Sequence, residues 1–229
     1  MQGRYPQGVM ITLSDCTNPA DEADFNRWYD EVFAPGVEAS PLVGNVLRYE
    51  NAYKDEPTFR SHPKYLVITE VLSDDLSAAA PALRDLYTEL RANRSAPELF
   101  KLDTLYERVG PEFHSERSDR PVRHVYCGLV GLNDITREDE FNQWYNDKHS
   151  PDALADAFDT GYRYRVVDPT EPVPHQASRY VSIYEISHDL GRLQEHLAAF
   201  RAEMIESDPL WVNLLAVYYS GIFSPLKTS

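Results

Sequence analysis

The sequence predicts an α+β fold in which one chain carries two copies of a βαββαβ unit, and two observations support this prediction. Most of the segment "DFNRWYDEVFAPGV", residues 24–37, recurs as "EFNQWYNDKHSPDAL", residues 140–154, with Phe, Asn, Trp-Tyr and Pro in register about 116 residues apart. Strand-like and helix-like segments also follow the same order in both halves. A repeat of half the chain length indicates a duplicated supersecondary unit.

The elements follow from local patterns. Runs of β-branched and apolar residues predict strands, and a polar residue followed by acidic residues predicts the start of a helix. In the first copy these patterns predict strand 8–14, helix 21–34, strands 44–53 and 64–71, helix 75–93 and strand 99–108. In the second copy they predict strand 124–132, a helix from Thr136 that Pro151 stops or kinks, strands 161–168 and 178–186 around a Pro-rich loop, helix 189–205 and strand 211–221.

This order is typical of the ferredoxin-like arrangement, in which a four-stranded antiparallel sheet carries both helices on one face. We expect one unit over residues 1–112, a polar linker "FHSERSDRP" over 113–121, and a second unit over 122–229. The bare faces of the two sheets would then pack face to face as an intramolecular α+β barrel. Such a chain is a monomer with an internal pseudo-dimer, or a homodimer.

Composition restricts the classes of partner. The formal net charge of -15 argues against nucleic acid and against anionic membrane surfaces, which both need a basic patch. The longest apolar runs, such as "LWVNLLAVYY", are shorter than the roughly 20 residues that span a bilayer. Only Cys16 and Cys127 occur, which excludes a disulfide framework and a cysteine-built zinc site. We therefore expect a cytoplasmic protein with a small-molecule partner.

The segment "EFNQWYNDKHSPDAL", followed by "GYRYRVV", resembles the helix-to-strand signature of the dimeric α+β barrel superfamily, closest to its EthD-like members, here as a tandem fusion. The resemblance implies a ligand pocket between the sheet and the helices of each unit. The superfamily includes cofactor-free monooxygenases, polyketide cyclases, lactone isomerases, lyases and haem proteins. The motif positions that it points to in the second copy are Asn142, Trp144, Tyr145, Asp147 and His149, and the first copy departs from the motif with Phe33 at the histidine position.

His149 is the only residue of the motif whose side chain has an ordinary pKa near 6.5, and such a pKa suits general acid-base catalysis. The alternative is a capping or surface histidine at a helix end. Tyr145 lies four residues earlier, on the same helical face, and either holds a substrate oxygen or is a core aromatic. Asp147 orients His149 only if Pro151 distorts the turn. Trp144 is a pocket wall or a core residue.

Strand alternation adds further candidates. In one strand Tyr162 and Tyr164 share a face, while Arg163 and Arg165 share the other; in the next, one face carries Tyr180, Ser182 and Tyr184. These tyrosines line a polar aromatic pocket or fill the seam between the sheets. The substrate-binding candidates are Asn142, Trp144, Tyr164, Arg165 and Tyr184. The repeat matches Arg48 with Arg165 and Glu70 with Glu185. We expect each glutamate to form a structural ion pair with the arginine of its own copy, or else to be an acid with a raised pKa.

No phosphate loop, nucleotide fingerprint or His-x-x-x-His pair occurs, so we expect neither a metal nor a cofactor. The main hypothesis is a cofactor-independent lyase, isomerase or cyclase that acts on a small aromatic or polyketide-like metabolite, with catalytic His149, Tyr145 and Asp147. The alternatives are a haem-binding dehydratase or peroxidase-type protein with His149 or His196 as axial ligand, a cofactor-free monooxygenase, and a non-catalytic ligand-binding protein. The change from Phe33 to His149 predicts that the second copy carries the chemistry.

Overall fold

The structure is a computed structural model that describes residues 1, 3–56, 62–94, 98–167 and 178–226. The predicted Pro-rich loop, 168–177, lies outside these residues. The chain divides into two compact units. The N-terminal unit contains the described residues within 6–107, 166–174 and 223–229, and the C-terminal unit those within 1–5, 108–165 and 175–222.

The N-terminal unit combines an antiparallel sheet with three helices. Its strands are β1 (Gly8–Cys16), β2 (Val43–Asn51), β3 (Tyr65–Val71) and β4 (Glu98–Arg108), and its helices are α1 (Glu22–Trp28), α2 (Ala34–Glu38) and α3 (Leu76–Ala92). The strands pair in the order β4-β1-β3-β2. A π-helical turn, Tyr29–Phe33, joins α1 to α2.

The apolar sides of these helices form the core of the N-terminal unit with one face of the sheet. The buried cluster combines helix aromatics with strand aliphatics, among them Phe25, Trp28, Tyr29, Phe33, Tyr87, Met10, Val67 and Leu105. Helix α3 begins where the Asp75 carboxylate accepts a hydrogen bond from the Ala78 backbone N–H at 2.9 Å. Sheet and helices therefore bury each other through side chains that alternate along the strands.

The C-terminal unit has the same kind of architecture. Its strands are β5 (Phe113–His114), β6 (His124–Leu132), β7 (Thr160–Val166), β8 (Tyr180–Ile186) and β9 (Leu215–Pro225), in the order β9-β6-β8-β7-β5. Its helices are α4 (Glu138–Trp144), α5 (Ser150–Asp156), α6 (Leu190–Ser207) and α7 (Pro209–Leu214). A π-helical turn, Tyr145–His149, joins α4 to α5. The predicted α+β class with antiparallel strands is confirmed.

Three predicted boundaries differ from the structure. Pro151 does not stop its helix, because it falls in the first turn of α5, where a missing N–H leaves no hydrogen bond unmade. The predicted strand 211–221 begins as helix α7, which Asp208 caps by accepting from the Leu210 N–H at 3.0 Å. The predicted linker contains β5, which pairs with β7.

No helix among the described residues is long and apolar enough to cross a membrane.

Candidate functional site

His149 ends the π-helical turn of the C-terminal unit and is buried, with 5% of its surface exposed. Four aromatic rings surround its imidazole. Their centroids lie at 4.4 Å for Tyr145, 4.9 Å for Trp211, 5.0 Å for Trp144 and 5.9 Å for Phe200. The Trp144 ring is nearly parallel to the imidazole, at 19°. The alternative of a surface or capping histidine is therefore wrong, because His149 is buried and stacked.

Burial sets the charge state of this imidazole. Loss of solvent, with the nearby positive charge of Arg163 as a second cause, lowers the pKa of His149 to about 3. Its Nδ1 has no hydrogen-bond partner among the described residues. The expectation that His149 titrates near neutral pH is thus not met, because the ring is desolvated. Such an imidazole is uncharged at neutral pH, and one of its nitrogens can accept a hydrogen bond or bind a metal ion.

Two tyrosines continue the site towards the sheet. The Tyr145 hydroxyl shares a hydrogen bond of 2.8 Å with the Ser182 hydroxyl on β8. The Tyr184 hydroxyl lies 3.3 Å from the Ser150 hydroxyl, and its ring stacks on Phe158 with centroids 4.5 Å apart. Burial raises the pKa of Tyr184 well above its ordinary value, so this phenol stays protonated.

A small cavity of about 40 Å³ lies at the centre of these side chains. The lining residues that matter most here are Tyr145, His149, Ser182, Tyr184, Phe200 and Trp211. One water needs roughly 10–15 Å³ of such space, so the cavity holds a molecule of only a few heavy atoms. Its walls are mostly aromatic, with a few polar atoms from the imidazole and the hydroxyls.

Arg163 on β7 packs on Tyr145, one of the lining residues, and has 0% of its surface exposed. Its terminal nitrogens donate to the Asn146 carbonyl oxygen at 2.6 Å and to the Asn142 carbonyl oxygen at 2.9 Å. The guanidinium carbon lies 3.9 Å from the centroid of the Tyr145 ring. Among the described residues no carboxylate pairs with it. Burial consequently lowers the pKa of Arg163.

The N-terminal unit contains the matching arrangement around Arg48. One guanidinium nitrogen donates to the Asn26 carbonyl oxygen at 2.9 Å, and another forms an ion pair with Asp30. The predicted match of Arg48 with Arg165 is wrong, since the partners of Arg48 correspond to those of Arg163. The irregular register of β2 between residues 43 and 46 explains the shift.

The predicted ion pair of Arg48 with Glu70 is also wrong. Arg48 uses Asp30 and Asn26, whereas the Glu70 carboxylate accepts a hydrogen bond from the Asn45 side-chain amide at 2.6 Å. Glu70 points away from α1, because neighbouring residues of a strand face opposite sides of the sheet and Thr69 bonds Tyr87 on the helix side.

The structure brings some predicted site residues together and leaves others apart. Trp144, Tyr145 and Tyr184 contact His149 or its cavity, and Asn142 reaches the site through Arg163. Asp147 and Arg165 are exposed, and Tyr164 is buried against Tyr5, with centroids 5.4 Å apart. The π-helical turn leaves Asp147 on the outer side, so it does not orient His149.

Sequence reasoning missed Asn146, Phe200, Asp208 and Trp211, and it placed Arg163 and Ser182 on strand faces without choosing them as site residues. Arg163 and Ser182 pair directly across β7 and β8 and so share one face of the sheet. The alternation of the strands contained this signal, but not which face meets the helices. Trp211 had no usable signal, because its segment reads as part of a strand.

No protein-family model and no curated protein matches this chain. Solved structures do match it. A dye-decolorizing peroxidase from Bacteroides thetaiotaomicron is 9% identical, with a TM-score of 0.60 over 98% of this chain and 94% of its own. A DypB variant from Rhodococcus jostii in complex with haem is 8% identical, with a TM-score of 0.62 over 97% and 94%. An anthrone oxidase-like protein is 11% identical, with a TM-score of 0.52 over 100% and 94%.

These neighbours have the dimeric α+β barrel fold, and the fold of this chain is consistent with it. They correct two predictions. The cofactor-independent lyase, isomerase or cyclase is wrong, since the neighbours are a dye-decolorizing peroxidase, an oxidase-like protein and DypB. The expectation of no cofactor is wrong for the same reason, because the DypB neighbour is a haem complex.

The haem of that neighbour raises the question of whether the residues here fit haem. The neutral imidazole of His149, with its unpartnered Nδ1, is a suitable axial donor. The space is not suitable, since the cavity of about 40 Å³ is far below the roughly 300 Å³ of sites for larger ligands. His196 is half-buried on α6 and accepts a hydrogen bond from Arg192 at 3.5 Å. In this structure haem therefore does not fit beside His149.

Proposed function

We propose that the chain is an oxidoreductase whose reactive centre is the cavity beside His149. The observation that carries the proposal is a neutral imidazole, with an Nδ1 that has no partner among the described residues, at a small cavity with tyrosine and tryptophan walls. The volume of about 40 Å³ suits an oxidant of two heavy atoms, such as dioxygen or hydrogen peroxide. The peroxidase and the oxidase-like neighbours support this class of reaction.

The reaction class has a simple balance. An electron-rich aromatic donor such as hydroquinone gives up two electrons and two protons and becomes a quinone. Hydrogen peroxide accepts these two electrons and two protons, its O–O bond breaks, and two waters form. When dioxygen is the oxidant, it accepts the same electrons and protons and becomes hydrogen peroxide. The donor is too large for the cavity, so it contacts the wall at the half-buried Trp211. The neutral His149 orients the oxidant by a hydrogen bond.

The test measures quinone formation from hydroquinone by the purified protein, with peroxide under nitrogen and separately with dioxygen. We expect oxidation with at least one oxidant and a loss of about 100-fold in His149→Phe, the size of effect typical of one lost catalytic group. Phe33 occupies the matching position of the other copy, so the variant is expected to fold. Equal rates in both proteins would place the reaction elsewhere.

A haem protein is the second candidate, and the suitable donor atom of His149 favours it. Haem would require the wall formed by Phe200 and Trp211 to move. Titration of the protein with hemin tests this directly. A Soret band in the wild-type protein that His149→Phe lacks supports the candidate, and the absence of a band in both dismisses it.

We also propose that the chain is a tandem fusion of two ferredoxin-like, EthD-like units over 1–112 and 122–229. The matching surroundings of Arg48 and Arg163 support this proposal. So does the π-helical turn at the same place in each copy, Tyr29–Phe33 and Tyr145–His149. Native mass spectrometry decides between a monomer and a homodimer.

A further inference from the structure

The N-terminal unit contains a second and much larger cavity, of about 450 Å³. It lies between helix α3 and the strands β1 and β4. Its apolar lining consists of Met10, Ala80, Leu83, Leu105 and Val167. The volume falls in the range of about 300–1,000 Å³ that is typical of sites for small organic molecules.

The two copies differ at this place in how much space they leave open. In the C-terminal unit, the rings of Phe200 and Trp211 pack against each other and line a cavity of only about 40 Å³. The N-terminal cavity is lined on α3 and β1 by Ala80, Leu83 and Met10, none of them aromatic. The first copy, which departs from the motif at Phe33, thus has the larger pocket of the two.

Two charged side chains that line this cavity, Arg91 and Asp103, are paired with each other, while the exposed Arg84 also lines it. The Asp103 carboxylate accepts from both terminal nitrogens of Arg91, at 2.6 and 3.1 Å, and from the Thr12 hydroxyl at 2.6 Å. The remaining Arg91 Nε lies 3.8 Å from the Glu98 carboxylate. Because Asp103 balances the positive charge of Arg91, Arg91 gives the cavity no preference for an anionic ligand.

Two of the lining hydroxyls, those of Tyr87 and Thr88, are engaged as well. The Tyr87 hydroxyl donates to the Thr69 hydroxyl oxygen at 2.6 Å, and the Thr88 hydroxyl donates to the Arg84 backbone carbonyl at 2.8 Å. A polar group of a ligand would lose its hydrogen bonds to water on entering the cavity. It would gain none from these hydroxyls, because they already bond to other protein groups. Apolar surface loses nothing on entry and is favoured by leaving water.

We propose that the N-terminal cavity binds a neutral, largely apolar molecule of one or two aromatic rings. The combination that carries the proposal is a cavity of about 450 Å³, a group of five apolar side chains in its lining and an internally paired Arg91–Asp103. The site is separate from the His149 cavity and does not rest on the proposed oxidation.

The test titrates the full-length protein with the neutral fluorescent probe N-phenyl-1-naphthylamine. We expect saturable binding of one probe per chain. Ala80→Trp, which places an indole in the cavity, is expected to weaken binding at least tenfold. Ala78→Trp, at an exposed position of the same helix, is the matched control and is expected to bind within twofold of the wild-type protein. The sulfonated analogue 1-anilinonaphthalene-8-sulfonate is expected to bind at least tenfold more weakly.

A second filling variant, Thr88→Trp, replaces an exposed lining residue and is used if circular dichroism shows that Ala80→Trp is unfolded. Three results would overturn the proposal: no saturable binding by the wild-type protein, unchanged binding by a folded filling variant, or tighter binding of the sulfonate. His149→Phe is expected to leave probe binding unchanged. A loss in that variant would instead assign the probe to the C-terminal cavity, so failure of this proposal is distinguishable from failure of the proposed function.

Discussion

The guanidinium of Arg163 packs on the ring of Tyr145, with its central carbon 3.9 Å from the ring centroid, and no carboxylate among the described residues balances its charge. In the first copy Arg48 occupies the same setting and pairs with Asp30. The second copy has Asn146 in place of that aspartate. Two of the differences between the copies at this place are a histidine for a phenylalanine and an amide for a carboxylate.

Asn146→Asp is expected to stabilise the protein, because it supplies the carboxylate that the buried Arg163 lacks. Hydrogen bonds to charged groups contribute about 1.5–3 kcal/mol, so we expect the free energy of unfolding to rise by about 1–2 kcal/mol. Urea unfolding at neutral pH measures it. Gln143→Glu makes the same chemical change at an exposed position and is expected to change stability by less than about 0.5 kcal/mol. A lower free energy of unfolding for Asn146→Asp would show that the positive charge of Arg163 is already balanced in the wild-type protein.

Trp144→Phe is expected to destabilise the protein more than Trp28→Phe, its counterpart in the first copy. The Trp144 Nε1 donates to the buried Asp208 carboxylate at 2.7 Å, whereas the Trp28 Nε1 has no partner among the described residues. Both changes remove a similar volume, so the difference of about 1.5–3 kcal/mol reports the hydrogen bond to a charged group. Paired urea unfolding curves measure it, and equal losses would contradict the bond.

The stability of the wild-type protein relative to His149→Phe is expected to fall as the pH falls below about 6.5. The folded-state pKa of His149 is about 3, and its ordinary pKa is about 6.5. Between these values the unfolded chain binds a proton that the folded protein does not, which favours unfolding by about 1.4 kcal/mol per pH unit. Unfolding of both proteins at pH 7, 5.5 and 4.5 measures the difference. A difference that is independent of pH would mean that His149 is solvated.

Much of the fold could be predicted from the sequence, because the duplicated pattern repeats apolar periodicity that packing requires. Strand 124–132 matches β6 (His124–Leu132), and helix 75–93 is close to α3 (Leu76–Ala92). Helix α7 could not be predicted, since its segment "LWVNLL", residues 210–215, has strand-like composition. The cap from Asp208 and Pro209 converts its first part into a helix.

The candidate site was predicted in part. The spacing of Tyr145 and His149 correctly places their rings in contact, at 4.4 Å. Spacing alone could not show that the imidazole is desolvated, because Trp211 and Phe200 arrive from distant segments. Nor could it show that Arg163, rather than Arg165, is buried, since strand parity does not identify the face that meets the helices.

The most direct test of the reactive centre compares two reciprocal variants in the hydroquinone assay. His149→Phe converts the second copy to the side chain of the first, and Phe33→His does the reverse. We predict a loss of about 100-fold for His149→Phe and a rate within about twofold of the wild-type protein for folded Phe33→His. Equal rates for His149→Phe and the wild-type protein, or an equal loss in both variants, would contradict the assignment of the reaction to His149.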